Sequence, residues 1–106
     1  MFDHVTIRAS DRGASERFFE TVLDAVGIAG THSNEHVAAW QDFGVRPTDG
    51  TRPVTHGLHV AFAVLSRDHV DRFWQAGTRA GYRDDGEPGP RPEYGDDYDG
   101  GFLLDP

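Results

Sequence analysis

The chain contains no cysteine and no lysine; all ten of its basic residues are arginine. Thiolate nucleophiles, disulfides, cysteine-based zinc sites and lysine Schiff bases are therefore excluded by inventory. Histidine, carboxylate, tyrosine and arginine remain to do any chemistry. Positive charge is scarce, with 10 basic against 18 acidic side chains and a formal charge of −8. No basic stripe runs along the sequence, which argues against a nucleic-acid partner, because a phosphate backbone is held by clustered cations. Long apolar runs are absent too. None approaches membrane-spanning length, and residues 1–9 carry Asp3 and His4 where a signal peptide would be apolar. These absences predict a soluble, cytoplasmic protein with no membrane partner. At 106 residues it is expected to form one small domain with a modest core.

The most informative thing present is a repeat. Residues 3–27 recur without a gap as residues 58–82. A shift of 55 positions superimposes His4 on His59, Val5 on Val60, Arg12 on Arg67, Arg17 on Arg72, Phe18 on Phe73 and Ala25 on Ala80. Conservative pairs such as Ile7 with Phe62, Glu16 with Asp71 and Phe19 with Trp74 lie between them. Six identities in 25 pairs compare with about one or two expected by chance, so the chain reads as two copies of one supersecondary unit. Paired units with paired histidines suggest a site on a pseudo-twofold axis.

Within the first copy, residues 2–9 alternate: Val5, Ile7 and Ala9 share one face, and His4, Thr6 and Arg8 the other. That pattern predicts a strand with one packed face. Ser10 or Asp11 can cap a following helix, whose apolar positions Ala14, Phe18, Phe19, Val22, Ala25 and Val26 fall near helical spacing, and Gly27 supplies a left-handed stop. The second copy predicts a strand over 58–65, Ser66 as cap, then Val70, Phe73, Trp74 and Ala80 on one helical face before Gly81. Each helix is expected to cover the apolar face of its own strands, which leaves the histidines on the opposite side. Phe18, Phe19, Phe73 and Trp74 read as core.

Further strand-like pieces follow each helix, at 28–32 and 37–45 in the first unit and at 82–84 and 100–104 in the second. Residues 46–55, rich in Pro, Gly and Thr, read as the connection between units, and 85–99 as a long loop. The module boundaries fall at about 1–47 and 57–106, with a linker at about 48–56. The acidic stretch from Asp84 to Asp99, opposed only by Arg91, reads as a solvated loop rather than a cation site. His32, His36, His56 and His69 read as solvated. Tyr94 and Tyr98 can either line the mouth of a cup, with phenols donating to a ligand oxygen, or simply pack. Arg8, on the same strand face as His4, is a candidate for an anionic ligand group or a rim residue.

The run Asp3-His4-Val5-Thr6-Ile7, the helical stretch from Ser15 to Phe19, the run Gly57-Leu58-His59-Val60-Ala61-Phe62 and the terminal Phe102-Leu103-Leu104-Asp105-Pro106 together resemble the vicinal oxygen chelate superfamily of glyoxalases, bleomycin-resistance proteins and extradiol dioxygenases. The resemblance spans nearly the whole chain; each motif is loose, and their order and duplicated spacing make the combination specific. It implies an α+β fold of two βαβββ modules, whose mixed sheet curls into a cup with helices on its outer face. It implies a divalent metal (Zn, Fe, Ni or Mn) at the base of the cup, with His4 and His59 as ligands and Gln41 or Asp42 as a third. The family's fourth ligand is a glutamate on a final strand beyond an Asp-Pro. With Pro106 as the last residue, that strand is expected to be missing, the metal site empty, and a sheet edge left unpaired. A homodimer is expected by the same resemblance.

Two functional readings follow, the metal-dependent enzyme first and metal-free binding as its alternative. In the enzyme reading, a metal on His4, His59 and Gln41 polarises a small chelating substrate while a carboxylate moves a proton, with Arg8, Tyr94 and Tyr98 contacting the substrate. In the binding reading, a metal-free, aromatic-lined cup sequesters a small molecule.

Overall fold

A computed structural model describes all residues from Met1 to Pro106. The first unit comprises β1 (Val5–Ala9), α1 (Arg12–Asp24), β2 (His32–Ser33), β3 (Ala38–Trp40) and β4 (Phe43–Pro47). The second comprises α2 (Arg67–Arg79), β5 (Arg83–Pro90) and β6 (Asp99–Leu104). The four strands of the first unit form a mixed sheet in the order β1-β4-β3-β2, and β5 and β6 form a separate antiparallel pair.

Alternation decides the first unit. Ile7 and Ala9 are buried, Val5 is half-buried, and His4 and Thr6 are exposed, as their period of two requires. β1 runs parallel to β4 with Val5 opposite Phe43 and Ala9 opposite Pro47. Asp11 caps α1 by accepting a hydrogen bond from the backbone N–H of Ala14 at 3.0 Å. The helix turns out of its axis at Gly27, whose φ of 79° is open to glycine without strain. Ala25 and Val26 lie in this turn rather than in the helix, so α1 ends sooner than its apolar spacing predicts. Its buried face, Phe18, Phe19, Val22 and Leu23, packs on Ile7, Ala9, Phe43 and Val45. Val22, Leu23 and Val45 are fully enclosed, each contributing roughly 1.5–3 kcal/mol relative to exposure.

Three sequence expectations are corrected in this unit. The strand over 37–45 is two strands, β3 and β4, joined by a two-residue turn at Gln41 and Asp42, where Gln41 adopts φ 56°. A left-handed first turn residue matches the twist of paired antiparallel strands, which a continuous run of apolar residues does not reveal. The strand over 28–32 contracts to His32–Ser33, and Arg46 and Pro47, read with the 46–55 connection, belong to β4.

The second unit departs further from its sequence pattern. α2 is capped by Ser66 and followed by Gly81 at φ 92°, as expected. Its only buried residue is Gly77, where an added Cβ would lie 2.3 Å from Leu103 Cδ1 and 3.2 Å from Val22 Cγ1, so the absent side chain lets α2 approach both α1 and β6. Phe73 and Trp74, expected in the core, are only half-buried. The loop expected over 85–99 is partly strand: β5 continues to Pro90, and 91–98 connect it to β6. Composition concealed this. Asp84-Asp85-Gly86-Glu87-Pro88-Gly89-Pro90 is a poor strand sequence, but β5 is an edge strand with register shifts around Gly86, and an edge tolerates proline where no donor is required.

Residues 58–65 were expected to be the counterpart of β1 and are not a strand. They keep its alternation: Phe62 and Val64 are half-buried against the core, and His59, Ala61 and Ala63 are exposed. No backbone or side-chain group of 57–65 hydrogen-bonds the rest of the chain. β1 becomes a strand because β4 lies beside it, whereas within residues 1–106 no strand is hydrogen-bonded to 58–65. All eleven buried apolar residues consequently belong to the first unit.

Candidate functional site

Two clefts open where the units meet. The smaller, of about 400 Å³, lies between β1, α1, the 54–62 segment and the chain end. Five phenyl rings, Phe18, Phe19, Phe43, Phe62 and Phe73, border it. The first four pack edge-on: Phe18 lies 4.9 Å from Phe19, Phe19 4.8 Å from Phe43, and Phe43 5.2 Å from Phe62 at 87°. Its polar groups are few: Arg8, Ser10, Ser15, Thr55, His56 and Asp105. Desolvation pushes the Asp105 carboxyl above its ordinary range, a direction associated with carboxyls at functional sites. Arg8 is fixed by the connection beside it: its guanidinium donates to the Pro47 carbonyl at 3.1 Å, and its backbone N–H donates to Thr55 Oγ1 at 2.9 Å. The larger cleft, of about 550 Å³, runs between the 58–65 segment and β6, with Val70 and Phe73 of α2 on its wall.

The expected site residues do not all gather at one cleft: His59 and Tyr98 share the larger one, and Arg8 borders the smaller. His4 is exposed beside β1, with its Nδ1 2.9 Å from the Asp3 carboxylate. His59 borders the larger cleft with its ring edge-on to Phe102 at 5.6 Å. Gln41 sits in the β3–β4 turn, exposed, with its backbone N–H donating to Thr31 Oγ1 at 3.1 Å. Tyr98 borders the larger cleft, while Tyr94 packs against it at 5.1 Å and borders neither cleft. Arg8 alone of the expected substrate contacts reaches the aromatic cleft.

Nowhere do three histidine, aspartate or glutamate side chains converge on one point as a metal would require. A divalent metal needs three or four donors around one centre, and the residues present do not fit one. Only two imidazoles belong to the expected set, and Gln41 is committed to a hairpin turn.

The groups that sequence reasoning missed are Asp105, Thr55 and His56, the first read only as part of a terminal motif and the other two as linker. Phe62 was read only as the counterpart of Ile7. No local pattern marks these residues; they meet because the connection folds back, with Thr55 N–H donating to the Arg8 carbonyl at 3.0 Å. The acidic stretch is partly structural. The Trp74 indole N–H and the Gly86 backbone N–H both donate to Asp84 Oδ1, at 2.9 and 2.8 Å, and hold that carboxyl below its usual range.

Comparison with known proteins bears on this arrangement. The crystal structure of a glyoxalase/bleomycin resistance protein from Albidiferax ferrireducens T118 superimposes with a TM-score of 0.76 at 29% identity, covering 89% of this chain and 82% of that one. A putative glyoxalase from Bacillus halodurans superimposes with a TM-score of 0.72 at 22% identity over 100% of this chain and 88% of its own. A hypothetical protein from S. aureus gives 0.61 at 13% identity, over 99% and 87%; these last two likenesses speak to the fold alone. No match is found among curated proteins. No helix is long and apolar enough to cross a membrane. Residues 1–99 match the family model of the glyoxalase/bleomycin resistance protein/dioxygenase superfamily, and the chain belongs to that superfamily.

Proposed function

We propose that the chain binds and sequesters a small organic molecule with an aromatic or otherwise flat apolar body, without a metal, in the 400 Å³ cleft between its two units. The observation that supports this most directly is the convergence of five phenyl rings with a few polar groups, Arg8, His56 and Asp105 among them. Binding sites for small molecules have this make-up: a mostly apolar wall gives affinity, and sparse polar groups fix orientation. Phe18, Phe19 and Phe43 are rigid parts of the core, so the wall needs little ordering on binding. Arg8 is positioned to meet an oxygen of the ligand. Asp105, whose pKa desolvation raises, adds a carboxyl to the same cleft. The metal-dependent reading finds no comparable support, because no three histidine, aspartate or glutamate side chains converge on one point.

Titration of ¹⁵N-labelled full-length protein with one- and two-ring aromatic compounds tests this. Saturable shifts are expected at Arg8, Phe18, Thr55 and Phe62, and Phe62→Ala should weaken binding by about tenfold or more, equivalent to about 1.4 kcal/mol. Silence of those residues across the whole panel would overturn the proposal. So would a stoichiometric metal found by elemental analysis of the purified protein and lost in His59→Ala.

A further inference from the structure

Ser15 is the only buried polar side chain of the molecule, with 2% of its surface exposed. It lies on the face of α1 that also carries Phe18, Phe19 and Val22, so helical spacing sets a hydroxyl among hydrocarbon neighbours. A hydroxyl inside a helix commonly satisfies itself on the carbonyl one turn back. Thr21 does so, donating to the Arg17 carbonyl at 2.8 Å, and Thr78 donates to the Trp74 carbonyl at 2.9 Å. The Ser15 hydroxyl makes no such bond. The Asp11 carbonyl one turn back accepts the Ser15 backbone N–H at 3.1 Å, and the Asp11 carboxylate accepts the Ala14 N–H.

A polar group withdrawn from water without a partner destabilises a fold. Alanine would fit the same helical turn and is the better helix former, so packing alone gives no reason for a serine here. Ser15 borders the 400 Å³ aromatic cleft. A molecule in that cleft can therefore supply the partner that the protein does not.

Given that the cleft binds flat apolar molecules, the reading on which this rests, we propose that Ser15 determines which of them it accepts. The ligand selected is a phenol, an aromatic ring whose neutral hydroxyl points inward to Ser15 Oγ. Two properties of this end of the cleft fix that class. Phe18, Phe19 and Phe43 are 3%, 6% and 5% exposed, so an ionised oxygen placed among them would give up its hydration for a single hydrogen bond. A hydroxyl, by contrast, matches serine in both directions, since each can donate one hydrogen bond and accept others. A hydrocarbon of the same shape would cover Ser15 and leave it unpaired, and sites with buried polar groups reject analogues that lack the matching group.

Affinities of the full-length protein for 1-naphthol and 1-methylnaphthalene, which exchange a hydroxyl for a methyl group, test this. The hydrocarbon is the more hydrophobic of the two, so a cleft with no partner for the hydroxyl would favour it. The wild type is expected instead to bind 1-naphthol at least as tightly. Ser15→Ala should shift the ratio of the two affinities about tenfold toward the hydrocarbon. The wild-type comparison stands by itself if that variant fails to fold. A wild type that prefers the hydrocarbon overturns the proposal and leaves the ligand reading intact, as does a ratio that Ser15→Ala does not move. Failure of both compounds to bind overturns the ligand reading and this one together.

Discussion

Single residues here answer to backbone geometry before chemistry, and Gln41 is the clearest case. Its φ of 56° places a side chain in the left-handed region, at a cost of about 1 kcal/mol that glycine does not incur. Gln41→Gly should accordingly raise stability by about 0.5–1 kcal/mol in urea denaturation; a fall in stability would restore a role for the glutamine side chain. Asp49 is a second case. It accepts hydrogen bonds from the Thr51 N–H at 2.8 Å, the Thr51 hydroxyl at 2.9 Å and the Arg52 N–H at 2.8 Å, and these lower its pKa from 3.8 to about 2. A depressed carboxyl stabilises the fold above its unfolded pKa and loses that contribution as pH falls through the folded one. The contribution of Asp49 is thus present above about pH 4 and lost toward pH 2. Asp49→Asn should flatten the melting temperature over that window and leave its slope above pH 5 unchanged.

Elements were legible wherever their signals were local. Both N-caps, Asp11 and Ser66, the glycine stops at Gly27 and Gly81, and the face carrying Ile7 and Ala9 all follow from side-chain chemistry within a few residues. Ser66→Ala should therefore cost about 1 kcal/mol by removing the acceptor for the His69 N–H, measured as a drop in unfolding free energy with α2 helicity lost first. Elements defined by partners were not legible. The alternation of 58–65 equals that of β1, yet one pairs and the other does not, because pairing depends on a neighbour that no local pattern encodes. β5 is the reverse case, a strand made by β6 against its own composition. The site shared this fate. Arg8 was identifiable from its strand face, whereas Phe62, His56 and Asp105 were brought to it by the return of the connection, which only the tertiary structure displays.

For the whole molecule, the asymmetry between units is the controlling fact. The repeat makes the halves alike in sequence, but every buried apolar side chain lies in the first, and the second contributes only half-buried ones such as Phe62, Phe73, Tyr82 and Leu103. Local stability follows buried apolar contact, so the halves should open at different free energies. Amides of α2, β5 and β6 are expected to exchange through a sub-global opening that is cheaper than the unfolding of α1, β1 and β4. Native-state hydrogen exchange in low denaturant should resolve two groups of amides. Because α1 and α2 touch through Val22 and Gly77, the first group should outlast the second rather than open with it. A single exchange free energy for both units would mean that this helix contact, and not core burial, sets the cooperativity of the fold.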